Sequence, residues 1–145
     1  MALKFQVQLK IRKPVAEVFD AVVNPKKLTG YFIQTSSGPL VAGTTVMWKF
    51  QELPEEFPVI ARDVVKNERI AFEWPADGGY NTLVEMSFKP LEDGSTMVQI
   101  SESGWPHDEA GLKASHGNAG GWMHMLACLK GYLEYGINLR AGGAF

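Results

Sequence analysis

The sequence predicts an α+β domain in which a curved antiparallel sheet of about six or seven strands is covered by one long C-terminal helix. Three observations carry this. Apolar and polar residues alternate with period two in several short segments, the mark of strands with one buried face. Short turn signals join those segments, which suits antiparallel pairing. Near the end, Trp122, Met125, Leu126, Leu129, Leu133 and Ile137 follow the i, i+3, i+4, i+7 spacing of an amphipathic helix.

Taken in order, Phe5, Val7, Leu9 and Ile11 alternate with Gln6, Gln8, Lys10 and Arg12, a half-buried strand. Pro14 ends that pattern and suits the first turn of a helix, and Val15, Val18, Phe19 and Val22 recur at helical spacing. Asn24 and Pro25 read as a cap and a first-turn proline, opening a second short helix through Leu28. Turn signals at Ser36-Ser37-Gly38-Pro39 and Ala42-Gly43 precede a strand carrying Val46, Trp48 and Phe50. Residues 59–65 form the next strand, followed by one with Ile70, Phe72 and Trp74 on one face and Arg69, Ala71 and Glu73 on the other. After Ala76-Asp77-Gly78-Gly79, residues 82–89 carry Val84, Met86 and Phe88 on one face. Glu92-Asp93-Gly94-Ser95 is a hairpin signal, and Thr96, Val98 and Ile100 carry the return strand. Gly104-Trp105-Pro106 ends the sheet.

Residues 107–121 hold five charged or histidine residues and four glycines, so only part of this stretch is expected to be helical. The clear helix begins near Asn118 and is centred on residues 122–133. Gly120 and Gly121 are expected to mark its start, a bend, or a close approach, since each glycine inside a helix costs about 1 kcal/mol. Ala141-Gly142-Gly143 reads as a frayed tail. No linker or repeat interrupts the chain, so residues 1–145 are expected to form a single domain.

Composition bounds the function. The chain is 46% apolar and 21% charged with a net charge of -2, an ordinary globular balance without a basic stripe for nucleic acid. One cysteine, Cys128, excludes an internal disulfide and a cysteine-rich zinc module. No apolar run approaches the roughly 18 residues of a membrane span. Met1-Ala2-Leu3-Lys4 shows no leader pattern, so a cytoplasmic location is expected.

A straight helix laid on a curved sheet meets it imperfectly. The gap is either filled by side chains or left open for a ligand. By parity, Trp48, Phe50, Phe72, Trp74, Phe88 and Trp122, with Leu126 of the helix stripe, are the candidate lining residues.

Several segments carry a family resemblance. Lys13-Pro14-Val15-Ala16-Glu17-Val18-Phe19-Asp20-Ala21-Val22, followed by Asn24-Pro25-Lys26-Lys27-Leu28, resembles the opening of the SRPBCC superfamily. Specifically, it resembles the branch similar to the activator of heat-shock-protein ATPase homologue. Tyr31-Phe32 stands where that family has an aromatic pair, often with tryptophan. Arg69-Ile70-Ala71-Phe72-Glu73-Trp74 resembles the family strand that ends in tryptophan. Glu102-Ser103-Gly104-Trp105, then Gly121-Trp122 and the helix through Leu133-Glu134, resembles its Glu-x-Gly-aromatic turn and final helix. The resemblance implies a helix-grip fold, as in START-related and birch-pollen-allergen-like domains, whose members hold hydrophobic small molecules between sheet and helix. Some relatives are cyclases or dehydratases, and one branch is a co-chaperone domain.

Glu102 is the polar residue of most interest, because it continues the inward face of Thr96, Val98 and Ile100. There it orients a polar ligand group or acts in acid–base chemistry. Alternatively it caps the Gly104 turn or pairs with an arginine. Arg62 and Asp63 point to opposite faces, so only one of them enters the core, and Tyr80 is placed at a pocket mouth or in a turn. His107, His116 and His124 lack metal-pair spacing, and neither a nucleophile motif nor a phosphate loop is present.

The expectation is a binding domain for a small hydrophobic or aromatic molecule, through Trp48, Phe50, Phe72, Trp74, Phe88, Glu102, Trp122 and Leu126. No catalytic residue, metal or cofactor is assigned. The alternatives are a cyclase or dehydratase using Glu102, and a chaperone-linked interaction module. Monomer and homodimer both remain open.

Overall fold

The computed structural model describes residues 3–144. The leader-free reading of Met1 and Ala2 lies outside the described residues. The strands are β1 (Lys4–Ile11), β2 (Thr35–Ser36), β3 (Thr45–Lys49), β4 (Phe57–Val65), β5 (Arg69–Ala76), β6 (Tyr80–Pro90) and β7 (Thr96–Ser103). The helices are α1 (Val15–Val23), α2 (Pro25–Leu28) and α3 (Glu109–Tyr135). The strands form one sheet of order β1-β7-β6-β5-β4-β3-β2, antiparallel throughout. This is the helix-grip arrangement the sequence predicts.

Strands β2 to β7 are a meander, and β1 joins the far side of β7. The chain must therefore travel from one sheet edge to the other between β1 and β2, and α1 and α2 make that crossing. Asn24 caps α2 by accepting a hydrogen bond from Lys26 N at 3.0 Å, and Pro25 takes the first helical position. Helix α1 buries Val18, Phe19, Ala21 and Val22 against the sheet, with Phe19 edge-on to Phe88 of β6.

The inward face of β7 is Thr96, Val98, Ile100 and Glu102, all buried. Register sets Glu102 opposite Val84, and Trp74 opposite Thr82 on the next strand pair. Trp74, Thr82 and Glu102 thus cluster at one end of three adjacent strands. Gly104 turns the chain away at φ 114°, a conformation that favours glycine, and a Cβ there would lie 3.3 Å from Thr82 Cα.

Strand β4 corrects the expectation for Arg62 and Asp63. A bulge between Ala61 and Asp63 leaves Arg62 without a partner on β5. Strict alternation is lost, and neither side chain enters the core. Arg62 pairs with Glu73 and Asp63 with Arg69 on the solvent side.

Helix α3 is longer than expected. It starts at Glu109, capped by Asp108, whose side chain accepts from Gly111 N at 2.7 Å. Gly111 is required there, since a Cβ would come within 1.9 Å of Pro106 O. At about 1.5 Å per residue, its 27 residues span roughly 40 Å. Gly120 and Gly121 lie in its interior, marking neither its start nor a close approach: nothing comes within 4 Å of a Cβ on either. Low glycine propensity conceals this first part in the sequence, and a strong cap and tertiary contacts support it. Gly136, left-handed at φ 68°, ends the helix, so Ile137 falls outside it and is half exposed.

The tail is a further correction. Residues 137–144 fold back, with Ile137 N donating to Gly131 O and Leu139 lying against Gly131. Arg140, only 9% exposed, pairs with Glu52 at 2.5 Å, and Ala144 N donates to the same carboxylate at 3.2 Å. The partner lies 88 positions earlier, beyond the reach of any local pattern.

Candidate functional site

Directly beneath α3 lies a packed aromatic and aliphatic core. Trp48 and Phe72 are fully buried and in ring contact at 5.4 Å, and Trp48 also meets Phe32, Phe57 and Trp74. The Trp48 Nε1 donor has no hydrogen-bond partner and is enclosed by these rings. Leu126 is fully buried in the same core. Phe88 lies at the opposite end against Phe19 and lines neither cleft described below. Of the residues singled out from sequence, Trp48, Phe72, Phe88 and Leu126 are thus placed in packing.

The remaining four gather at one flank. A trough runs between the first half of α3, the end of β5 and the loop of residues 50–56. It consists of two clefts of about 480 and 490 Å³ that meet at Phe50, Leu53, Trp74 and Asn118. Phe32, Phe50, Trp74 and Trp122 line the first cleft, and Gly117, Gly120 and Gly121 supply its helical side. A Cβ on any of the three glycines would meet nothing within 4 Å, so the helix is bare where it faces this space. Arg140 closes one end, its guanidinium over the rings of Phe32 and Phe50 at 5.9 and 5.6 Å. The second cleft continues along Phe57, Trp74 and Trp105 and is rimmed by Glu55, Glu56 and Asp77.

Glu102 lies behind the wall between the clefts and is completely buried. Neither structural alternative read from the sequence applies: it neither caps the Gly104 turn nor meets an arginine. Its Oε2 accepts from Trp74 Nε1 at 3.0 Å and Thr82 Oγ1 at 2.6 Å. Its Oε1 accepts from Trp122 Nε1 at 2.8 Å, and Asn118 Nδ2 bridges both oxygens at 3.1 Å. Four residues donate and it forms no ion pair among the described residues. Such a carboxylate is costly to bury and is tolerated only when its oxygens are satisfied. Because the two indoles donate to the same group, their rings are held together, stacked at 5.1 Å and 28°. The carboxylate therefore sets the orientation of the trough's main wall.

Sequence reasoning missed Asn118, Thr82, Arg140 and Glu52. Asn118 was accessible, standing four residues before Trp122 on one helix face. Thr82 shares the inward parity of Val84. Of the other polar candidates, Tyr80 packs against Gly78 in the β5–β6 turn, away from both clefts. His124 lines the first cleft, 3.6 Å from Cys128 Sγ. Burial pushes the Cys128 thiol up, the reverse of what an activated nucleophile requires. Among the described residues no cluster of side chains suits a metal ion, and no helix is long and apolar enough to cross a membrane.

The family model described as Activator of Hsp90 ATPase homolog 1-like protein matches residues 12–134. The chain belongs to this family. The match spans the opening helix, the aromatic pair, the tryptophan strand and nearly all of the final helix, the segments that carry the resemblance. Among solved structures, the protein SSP2350 of Staphylococcus saprophyticus is 29% identical with a TM-score of 0.82, over 95% of this chain and 96% of that one. DynU16, a putative protein in the dynemicin biosynthetic locus, is 23% identical with a TM-score of 0.79 over 92% of this chain. This chain spans only 48% of DynU16. The Aha1 protein of Colwellia psychrerythraea, solved as a dimer, is 18% identical with a TM-score of 0.77 over 92% of this chain and 98% of that one. The last two likenesses establish the family's fold alone. No curated protein matches this chain.

Proposed function

We propose that the trough binds a small apolar or aromatic molecule. The observation that carries this reading is an aromatic wall of Phe32, Phe50, Trp74 and Trp122 facing about 480 Å³ of open space across a helix face of glycines. Small-molecule sites have roughly 300–1,000 Å³ and mostly apolar linings with a few fixed polar groups. Each 100 Å² of apolar surface a ligand removes from water contributes about 2.5 kcal/mol. Trp48, Phe72 and Leu126 support the wall from behind, and Glu102 orients it.

An acid–base role for Glu102 gains no support, because its oxygens face Trp74, Thr82, Asn118 and Trp122 rather than open volume. Binding without turnover is the reading the geometry favours.

The test is a panel of naphthalene, flavonoid and polyketide-like compounds, followed by tryptophan quenching and thermal shift. Saturable quenching with a raised Tm is expected, and a Gly121→Leu variant is expected to abolish it while remaining folded. A panel with no quenching and no shift at saturating concentration would sink the reading.

A further inference from the structure

The trough is electrically one-sided. In its first cleft the charges cancel, since Arg140 and Glu52 are paired. In its second cleft Glu55, Glu56 and Asp77 stand on the rim without an ion-pair partner among the described residues. A separate observation concerns the wall itself. Glu102 is fully buried, and its donors Trp74 and Asn118 are two of the four residues shared by both clefts. Negative charge therefore lies around the mouth of the second cleft, beside the indole wall.

From this we infer that the ligand is a cationic aromatic molecule, with its ring in the first cleft and a protonated amine in the second. The inference rests on the proposed binding role of the trough. A neutral molecule gains nothing from the rim carboxylates, and an anion is repelled by them. An ammonium group gains attraction to the rim and the neighbourhood of the Trp74 and Trp105 rings, both of which line this cleft. Indole N–H groups that donate to a carboxylate are polarised so that their rings become better partners for a cation. A bare metal ion does not fit, because no set of acidic side chains converges on one point among the described residues.

Three probes with one ring system separate this inference from the reading beneath it: naphthylmethylamine, naphthylmethanol and naphthoate. They are titrated into the whole protein at low ionic strength with tryptophan quenching as readout. The amine is expected to bind about tenfold tighter than the alcohol, the scale of a cation–π contact with added rim attraction, and naphthoate weakest. The preference should shrink with added salt, as the Debye length falls from about 30 Å at 0.01 M to about 3 Å at 1 M. Replacing Glu55→Gln, Glu56→Gln and Asp77→Asn together, all on exposed loops, is expected to remove most of it. Equal affinity for all three probes overturns the charge inference and leaves an apolar site standing. A preference that survives the triple replacement overturns the assignment to this rim. Absence of binding by any probe takes down both readings.

Discussion

Helix α3 is tied to the rest of the molecule by two carboxylates that are handled in opposite ways. Near its C-terminal end, the Glu134 side chain is 3% exposed and is surrounded by cations. Arg12 donates to it from its backbone N at 2.9 Å and its Nε at 2.6 Å, and Lys130 from Nζ at 2.6 Å. Burial alone would raise its pKa, yet these hydrogen bonds and charges hold it at about 2. Toward the N-terminal half, Glu102 is buried more deeply and meets only neutral donors. A charge whose only task is to join two elements is best neutralised locally, as at Glu134. The carboxylate met only by neutral donors stands behind the aromatic rings that line the trough.

The largest expected effect is at Glu102. In Glu102→Ala the donors of Trp74, Thr82, Trp122 and Asn118 are left unpaired in a buried site, at about 1–3 kcal/mol for each buried group that finds no water. A total loss near 4 kcal/mol in urea unfolding is expected, with a change in tryptophan fluorescence as the two indoles separate. A loss below 1 kcal/mol would mean that the polar cluster does not hold this wall.

Glu134→Gln comes next, at about 2 kcal/mol at neutral pH. The folded-state pKa of about 2 lies below the unfolded value, which is about 4.3. The stability it supplies is therefore fully present above about pH 4.5 and disappears as pH falls toward 2. Wild type and Glu134→Gln should converge in Tm near pH 2, and parallel curves across this window would contradict the assignment.

Arg140→Ala should cost about 1 kcal/mol, the scale of a partly shielded ion pair with ring contact, and should open the first cleft at its closed end. Faster ligand association and dissociation in stopped-flow quenching are expected, and unchanged rates would show that the tail does not restrict entry. The smallest effect has the opposite sign. Gly120→Ala and Gly121→Ala should each stabilise α3 by about 0.5–1 kcal/mol, since a Cβ meets nothing there. Destabilisation at either position would mean that the bare helix face is needed for the fold itself.

Much of the fold was readable from the sequence, because periodicity reports directly which face of an element is buried. The inward parity of Thr96, Val98, Ile100 and Glu102 follows from alternation alone. The stripe from Trp122 to Leu133 follows from helical spacing. Legibility ended where the pattern broke. At Arg62 a bulge adds one residue and removes the parity. In residues 109–117 a cap and a close backbone approach sustain a helix that glycine propensity obscures.

The candidate site was legible only as a set of residue types. Eight positions qualified by parity or by lying on the helix stripe, and of these only Phe50, Trp74 and Trp122 line the open volume. Parity states that a side chain points inward but not whether another side chain already occupies the space it faces. By itself the sequence determined the element order, the buried faces, the family and the inward direction of Glu102, since these depend on local spacing. Only the tertiary structure decided that Trp74 and Trp122 share one carboxylate, that Arg140 meets Glu52, and that the open volume lies beside the helix rather than beneath it. Those outcomes depend on sheet curvature and on contacts between residues far apart in the chain, which no local pattern encodes.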